Sequence, residues 1–169
     1  PGRGPAAPGG LFGPGMSAGA AFDAGTVLGF DVGSKRIGVA VASSLGPGAR
    51  ALEVVGVHGG KPDWDGIDRL CGEWRPAALV VGDPMTLEDG DQPARRRARR
   101  FAHQLRERYG LPVAMIDERS SSREAAQRFA AERAQGRRRR GDATLLDAMA
   151  AAIIVERWLH APDDATPVP

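Results

Sequence analysis

Two apolar runs joined by a short turn, in the stretch VLGFDVGSKRIGVAVAS at residues 27–43, constrain the fold of this chain more than any other feature. Both runs are rich in β-branched residues, and Gly33, Ser34 and Lys35 separate them, so the pattern predicts a β-hairpin. Asp31 lies inside the first run. Because a carboxylate among Val, Leu and Phe side chains is costly unless a partner compensates its charge, its position predicts such a partner.

The rest of the chain alternates between short apolar runs and longer amphipathic stretches, which predicts an α/β fold. After the hairpin, the pattern predicts a third strand and then strand–helix units, which together give a mixed sheet flanked by helices. The strands are expected over 27–32, 37–42, 51–57, 77–81 and 113–116, and the helices over 65–74, 93–109, from Ser121 or Ser122 to about 134, and over 143–160.

The two ends of the chain differ in composition from its middle. Residues 1–26 are rich in Gly, Pro and Ala without periodicity, which indicates a disordered leader, and residues 161–169 are expected to form a flexible tail. A single domain is expected over 27–160. No apolar run approaches the ~20 residues that span a bilayer, and the single cysteine, Cys71, excludes an internal disulfide. We therefore predict a cytoplasmic protein.

Three acidic residues that are far apart in the chain lie at positions where apolar residues are expected. Asp31 is inside the first strand, and Glu118 follows a buried strand. Asp147 lies on the same side of the last helix as Ile154 and Trp158. If these carboxylates converge, their partner is a hard divalent cation, since oxygen ligands without imidazole or thiolate favour Mg²⁺ or Mn²⁺. Such a centre predicts metal-dependent hydrolysis of phosphodiester bonds.

Each of the three acids also has an ordinary structural interpretation. Asp31 could cap a turn or accept hydrogen bonds from buried backbone N–H groups. Glu118, between Asp117 and Arg119, could belong to an ion-pair cluster at the end of a strand. Asp147 could pair with an arginine of the preceding RRRR segment. If all three acids are structural, the chain would be a non-catalytic nucleic-acid-binding module.

Basic charge is concentrated in one part of the sequence. Residues 92–140 contain 15 Arg and 5 acidic residues, a balance of +10, so the remainder carries −8 because the whole chain has a net charge of +2. This asymmetry predicts a surface that binds a polyanion, with a solvated Arg-rich surface as the alternative. Arg137–Arg140 lie between two glycines and are expected to form a mobile loop that closes on a phosphate backbone. The five arginines at 95–100 surround a helix, so only some can face one partner.

Four segments, in matching order, resemble the YqgF family of RNase H-like proteins, which are described as Holliday-junction resolvases and as pre-16S ribosomal RNA nucleases. LGFDVGSKRIGVAV resembles the opening hairpin, LVVGDP the central strand and its loop, DERSSSREA the Asp-Glu-Arg segment, and RRRRGDATLLDAMAAAIIVERWL the basic loop and final helix. The resemblance covers about residues 27–160. The chain departs from the family pattern at Asp83, where Leu is usual, at Thr86, where Asn is common, and at Ser120, where an apolar residue is usual.

The resemblance implies an RNase H-like mixed sheet of five strands in the order 3-2-1-4-5, with strand 2 antiparallel. It also implies a nuclease that processes the 5′ end of pre-16S rRNA in ribosome biogenesis, with Asp31, Glu118 and Asp147 as catalytic residues and metal ligands. RNA or branched DNA would be its partner, together with ribosomal particles, and a monomer or weak homodimer is expected. The residues expected to bind nucleic acid are Lys35, Arg36, Arg119, Arg137, Arg138, Arg139 and Arg140.

Two other activities compete with RNA processing. Cleavage of four-way DNA junctions needs the same metals and the same contacts with the phosphate backbone, so residue types do not separate it from RNA cleavage. The opening hairpin also resembles the phosphate-binding hairpin of actin-like ATPases and sugar kinases. Those enzymes have two such domains around a nucleotide, whereas only 143 residues follow the 26-residue leader in this chain of 169.

Overall fold

The computed structural model describes residues 25–43, 48–84, 92–118, 127–128, 130–132, 135–136 and 145–169. The elements run in the order β1 (Thr26–Val32), β2 (Arg36–Ser43), β3 (Ala49–His58), β4 (Lys61–Pro62), α1 (Trp64–Trp74), β5 (Ala78–Asp83), α2 (Gln92–Tyr109), β6 (Val113–Asp117), α3 (Leu146–His160), a 3-10 turn (Pro162–Asp164) and β7 (Thr166–Pro167).

The strands form one mixed sheet in the order β4-β3-β2-β1-β5-β6-β7. β1 lies at its centre and pairs antiparallel with β2 and parallel with β5, while β5 pairs parallel with β6. The five longer strands therefore lie in the order predicted from the resemblance, and the second strand is antiparallel to both of its neighbours. The predicted α/β class with a mixed sheet is confirmed.

The prediction of five strands was wrong, because each edge of the sheet carries an additional strand of two residues. β4 follows β3 through Gly59 and Gly60, whose φ angles of 58° and 77° suit a tight two-residue hairpin turn. At the other edge, β7 pairs antiparallel with β6, and the N–H of Val168 donates to the carbonyl of Val113 at 2.8 Å. Residues 161–169, which we expected to form a flexible tail, thus add a strand to the sheet.

Large apolar side chains cover the face of the sheet that packs against α1 and α2. Leu28, Phe30 and Ile37 are fully buried on this face. Phe101 of α2 meets Phe30 edge to face, with 5.3 Å between ring centroids, and Trp64 of α1 stacks on Phe101 at 5.6 Å. Because burying each such side chain contributes about 1.5–3 kcal/mol, this face holds most of the hydrophobic stabilisation.

The opposite face packs against α3, which buries large side chains such as Trp158 and Ile154 but meets β1 and β2 through small residues. Ala40 and Ala42 of β2 are buried against Ala151 and Val155 of the helix. At Gly29 of β1, a Cβ atom would collide with the side chain of Val155. The absence of larger side chains lets α3 approach the strands closely, and this close approach determines where the first turn of the helix lies relative to β1.

Some predicted segments lie partly outside the described residues, among them the leader up to residue 24 and residues 143–144 of the last helix. Of the helix predicted from Ser121 or Ser122, residues 127–128 and 130–132 are described and helical. Arg128 in this segment donates to both carboxylate oxygens of Glu156 in α3, at 3.1 and 2.8 Å. None of the described helices is long and apolar enough to cross a membrane.

Candidate active site

Asp31 lies in β1 on the face that packs against α3. Its cross-strand neighbour in β2 is Gly38, and both are close to the first turn of the helix. Asp31 is half-buried. Burial raises the pKa of Asp31, and the negative charge of Asp147 raises it further, while a hydrogen bond from Glu118 lowers it. The partner that the sequence required for Asp31 is therefore, in this structure, another carboxyl group.

Glu118 follows β6 directly and reaches across β5 to Asp31. Its backbone N–H donates to the carbonyl of Asp83 at 3.0 Å, which fixes the chain at the end of the strand. Its side chain lies over Gly82, where a Cβ atom would collide with Oε2. Burial, followed by the charge of Asp31, raises the pKa of Glu118 to about 9. The raised pKa favours a protonated Glu118 that donates to Asp31.

One oxygen of the Glu118 carboxyl group has no partner among the described residues. Oε2 is buried and makes no hydrogen bond with any residue in the described part of the chain. A buried polar atom without a partner costs roughly 1–3 kcal/mol, and such atoms are uncommon in folded proteins. The orphaned oxygen therefore indicates a site where a group other than the described residues completes the contacts.

Asp147 lies in the first turn of α3, and its backbone carbonyl packs directly against Gly38. The apolar stripe predicted below it is present, since Ile154 and Trp158 are fully buried. Its carboxylate does not contact the other two acids. Instead it accepts a hydrogen bond from Nε of Arg36 at 3.0 Å, in an ion pair whose Arg and Asp side chains are 60% and 36% exposed.

The structure thus brings Asp31 and Glu118 into contact and holds Asp147 within electrostatic reach of Asp31. Asp147 was expected, as one alternative, to pair with an arginine of the RRRR segment, which lies outside the described residues; in the structure it pairs with Arg36 of the hairpin. Lys35, in the same turn, is exposed. The other residues predicted to bind nucleic acid lie outside the described residues, namely Arg119, Arg137, Arg138, Arg139 and Arg140.

Asp83 is a further acid of this region that the sequence did not single out as a site residue. It is buried at the end of β5, and Nε of Arg95 in α2 donates to its Oδ1 at 3.2 Å. Its charge also contributes to the raised pKa of Glu118. The sequence contained one sign that Asp83 belongs to this site. Asp83 comes directly after the apolar run of β5, at a position where the YqgF pattern has Leu.

The donor set of this region suits a hard divalent cation better than zinc, because it consists of carboxylate oxygens. A cation bound at Asp31 and Glu118 would replace their shared proton and give Glu118 Oε2 a partner. Arg36 would have to release Asp147 before that carboxylate could join them. As the side chains stand, no group of three or more His, Cys, Asp or Glu residues is arranged as a metal site among the residues that the structure describes.

Comparisons with known proteins identify the family. A family model described as "RuvX: Holliday junction resolvase" matches residues 25–161. The chain is 70% identical over 152 residues to a "Putative pre-16S rRNA nuclease" of Xanthomonas oryzae pv. oryzae (strain PXO99A), covering 90% of this chain and 98% of that protein. A protein of the same name from Xanthomonas campestris pv. campestris (strain B100) is 70% identical over 144 residues, covering 85% and 93%.

Among solved structures, Thermus thermophilus RuvC in complex with a Holliday junction substrate aligns with 85% of this chain and 99% of its own, at 21% identity and a TM-score of 0.48. The family assignment does not depend on that structure. It depends on a family model that spans nearly the whole described domain and on relatives that align over almost their full length. This chain belongs to the RuvX family, also called YqgF.

Proposed function

We propose that this chain is a metal-dependent nuclease with an RNase H-like core that hydrolyses phosphodiester bonds in structured nucleic acid. One observation carries the proposal: the carboxyl groups of Asp31 and Glu118 are in contact on the α3 face of the sheet, and Glu118 Oε2 is buried without a partner among the described residues. Two acids in contact, with an unsatisfied oxygen and a third acid close by, are explained more economically by a missing cation than by a structural role.

In this proposal, Asp31, Glu118 and Asp147 are the metal ligands. Glu118 becomes a ligand by losing the proton that it now donates to Asp31, which is unfavourable until a positive charge compensates the two carboxylates. Asp147 becomes a ligand by exchanging Arg36 for the cation. Mg²⁺ or Mn²⁺ bound there would activate a water molecule and stabilise the charge that develops on the phosphoryl oxygens.

The residues proposed to hold the substrate lie near the hairpin turn and in the basic segments. Lys35 is exposed beside the site, and Arg36 becomes available for a phosphate when it releases Asp147. Arg119 and the run Arg137–Arg140 complete the proposed set. Cationic groups around a carboxylate centre are required because the acids alone would repel a polyanion.

The substrate we propose is pre-16S ribosomal RNA, since relatives that are 70% identical to this chain carry that description. The description of the matching family model supports a second candidate, the four-way DNA junction. Action in the cytoplasm, with ribosomal particles and as a monomer or weak homodimer, stays a prediction of this proposal.

The test replaces each proposed ligand in turn, as Asp31→Asn, Glu118→Gln and Asp147→Asn. Cleavage is measured with Mg²⁺ and with Mn²⁺ on a pre-16S rRNA fragment, a plain duplex and a four-way junction. We expect each variant to remain folded, to bind RNA and to lose at least about 100-fold in cleavage rate, because a metal ligand has gone. Cleavage of the rRNA fragment alone would support the first substrate, and symmetrical cleavage of the junction would support the second.

The matched control is Asp65→Asn, which removes one exposed acid from the first turn of α1, on the other side of the sheet. This control should cleave at the wild-type rate. If all three site variants also cleave at that rate, or if the wild type binds RNA but cuts none of the substrates with either metal, the chain is a binding module and not a nuclease.

A further inference from the structure

A cleft of about 300 Å³ lies on the other face of the sheet from Glu118, and the proposed catalytic centre does not use it. The turn between β1 and β2, the turn between β3 and β4, and the first half of α2 enclose it. Its walls include Gly33 and Ser34 from the first turn and Gly60 from the second. Phe101 and Val32 contribute to an apolar floor. The cleft is therefore a defined cavity and not an open stretch of helix surface.

Three arginines of α2 line this cleft, namely Arg96, Arg97 and Arg100, and no acidic residue is among the described residues that line it. Other arginines of the same helix are neutralised: Arg95 pairs with Asp83, and Arg108 pairs with Asp68 at 2.6 Å. Within the described residues, none of the three cleft arginines forms an ion pair. The structure thus separates the arginines that α2 uses for internal pairing from those that it leaves unpaired around a cavity.

Three unpaired guanidinium groups around one cavity favour an anionic ligand. Arginine presents a planar fork of donors that matches the oxygens of a phosphate group, and arginines are enriched where phosphates are recognised. Ser34 from the β1–β2 turn and Gln104 from α2 also line the cleft, and their side chains can add neutral hydrogen bonds. The apolar floor is suited to a ribose or a base attached to that phosphate.

The position of the cleft connects it with the acids. Val32 and Gly33 line it, and they follow Asp31 in the chain. Gly33 is two residues from Asp31, which corresponds to roughly 7 Å along an extended strand. Neighbouring side chains of β1 point to opposite faces, so Asp31 faces α3 while Val32 faces the cleft. A strand of nucleic acid that crosses the β1–β2 turn would meet both sites.

We propose that the cleft lined by Arg96, Arg97 and Arg100 binds a backbone phosphate of the nucleic-acid substrate other than the phosphate that is cleaved. This proposal rests on the proposed nuclease function for its choice of ligand. The proposal divides the basic helix α2 into a side that binds the substrate and a side that faces solvent. Arg99 belongs to the solvent side, because it is exposed and does not line the cleft.

The experiment compares two double variants of the full chain. Arg97→Gln with Arg100→Gln removes two cleft charges, and Arg99→Gln with Arg106→Gln removes two charges of the same helix outside the cleft. Binding of a fluorescent pre-16S rRNA fragment is measured with Ca²⁺ in place of Mg²⁺ at several salt concentrations. We expect the cleft variant to bind at least about tenfold more weakly, and the slope of log K against log salt to fall by about 1–2.

The control variant should change affinity less than twofold, and Arg97→Lys with Arg100→Lys should restore most of the salt slope because it keeps the charge. Equal losses in the cleft and control variants would overturn the proposal, and so would wild-type binding by the cleft variant. Uridine monophosphate and inorganic phosphate are tested alone. Micromolar affinity for either, without an effect of the cleft variant on RNA binding, would make the cleft a site for a free anion and overturn the proposal.

Cleavage assays keep this proposal separate from the proposed function. If wild-type protein cuts no substrate while the cleft variant loses RNA affinity and the control does not, the cleft proposal stands and the nuclease proposal fails. If Asp31→Asn abolishes cleavage while the cleft variant binds and cuts as wild type does, the nuclease proposal stands and the cleft proposal fails.

Discussion

The two faces of the sheet use the same five long strands in different ways. On one face, large side chains such as Phe30 and Phe101 interlock and keep α1 and α2 at the distance that bulky residues require. On the other face, glycine and alanine bring α3 so close that the backbone of Asp147 touches Gly38. All three proposed metal ligands belong to the second face.

This difference shows how one small domain can separate stability from chemistry. The bulky face buries most of the apolar area, so its substitutions should act mainly on the free energy of unfolding. On the α3 face, the small residues of β1 and β2 bring the helix backbone into contact with the strands, so substitutions of these small residues should act mainly on the site. The following predictions test that separation.

The largest loss of stability is expected on the bulky face, from Leu105→Ala in α2. Leu105 is fully buried and lines neither the cleft nor the carboxylate site. Its truncation leaves a cavity and should cost about 2–5 kcal/mol of unfolding free energy, measured by urea denaturation. Below the melting transition, cleavage per folded molecule should stay within about twofold of wild type. A loss of cleavage larger than the loss of folded protein would show that the two faces are coupled.

A smaller loss of stability with a larger loss of activity is expected from Gly38→Ala. The added Cβ atom would collide with the carbonyl of Asp147. Because this carbonyl belongs to the backbone and cannot rotate away as a side chain can, the first turn of α3 must move. The cost should be about 1–3 kcal/mol, whereas cleavage should fall at least about tenfold. Thermal melting and cleavage rates on the same preparation measure the two effects.

Gly72→Ala is the matched control for the glycine substitution. Gly72 is exposed in α1, and a Cβ atom there would meet no neighbour. Alanine at a helical position is about 0.5–1 kcal/mol more favourable than glycine, so this variant should be slightly more stable and fully active. Equal activities for the alanine variants at positions 38 and 72 would refute the idea that the close contact between α3 and the strands positions the site.

The smallest effect on stability is expected from Glu118→Gln in metal-free buffer, and its sign depends on pH. Folding raises the pKa of Glu118 from 4.5 to about 9, so the folded state binds more protons than the unfolded state between these values. Stability of the wild type should therefore fall as pH rises through this window. The glutamine side chain of the variant carries no charge and so avoids this loss of stability. At pH 8 the variant should therefore be more stable than wild type by on the order of 1 kcal/mol, which corresponds to a Tm about 2–4 °C higher.

Scanning calorimetry at pH 5 and pH 8 with a chelator measures this effect. At pH 5, close to the unfolded pKa of a glutamate, the two proteins should melt within about 1 °C of each other. A variant that melts lower than wild type at both pH values would indicate that the Glu118 carboxyl group is a structural hydrogen-bonding group.

The sequence was sufficient for the features that depend on local patterns. The hairpin at 27–43 and the buried strand that became β5 have continuous apolar runs, and their bounds agree with the structure to within two residues. The acid in β1 was recognised because its burial cost is visible without coordinates. That argument required a partner for Asp31, and the structure places Glu118 beside it. The role of both as metal ligands stays a prediction.

Other features could not be predicted because they depend on long-range geometry. The partner of Asp147, Arg36, is 111 residues away in sequence, and no periodicity connects them. Asp83 was noticed as a departure from the family pattern, but its ion pair with Arg95 depends on how α2 lies against β5. Strands of two residues, such as β4 and β7, are too short to show the alternation by which strands are recognised.

Those two short strands have a consequence for how copies of this protein can meet. Each outermost strand contains a proline, Pro62 in β4 and Pro167 in β7, and proline has no amide hydrogen to offer to another chain. Neither short strand is therefore a good template for a further strand, but β4 covers only Val57 and His58 of β3. Growth of the sheet from one molecule to the next would therefore have to start at the part of β3 that β4 leaves uncovered, which begins at Ala49.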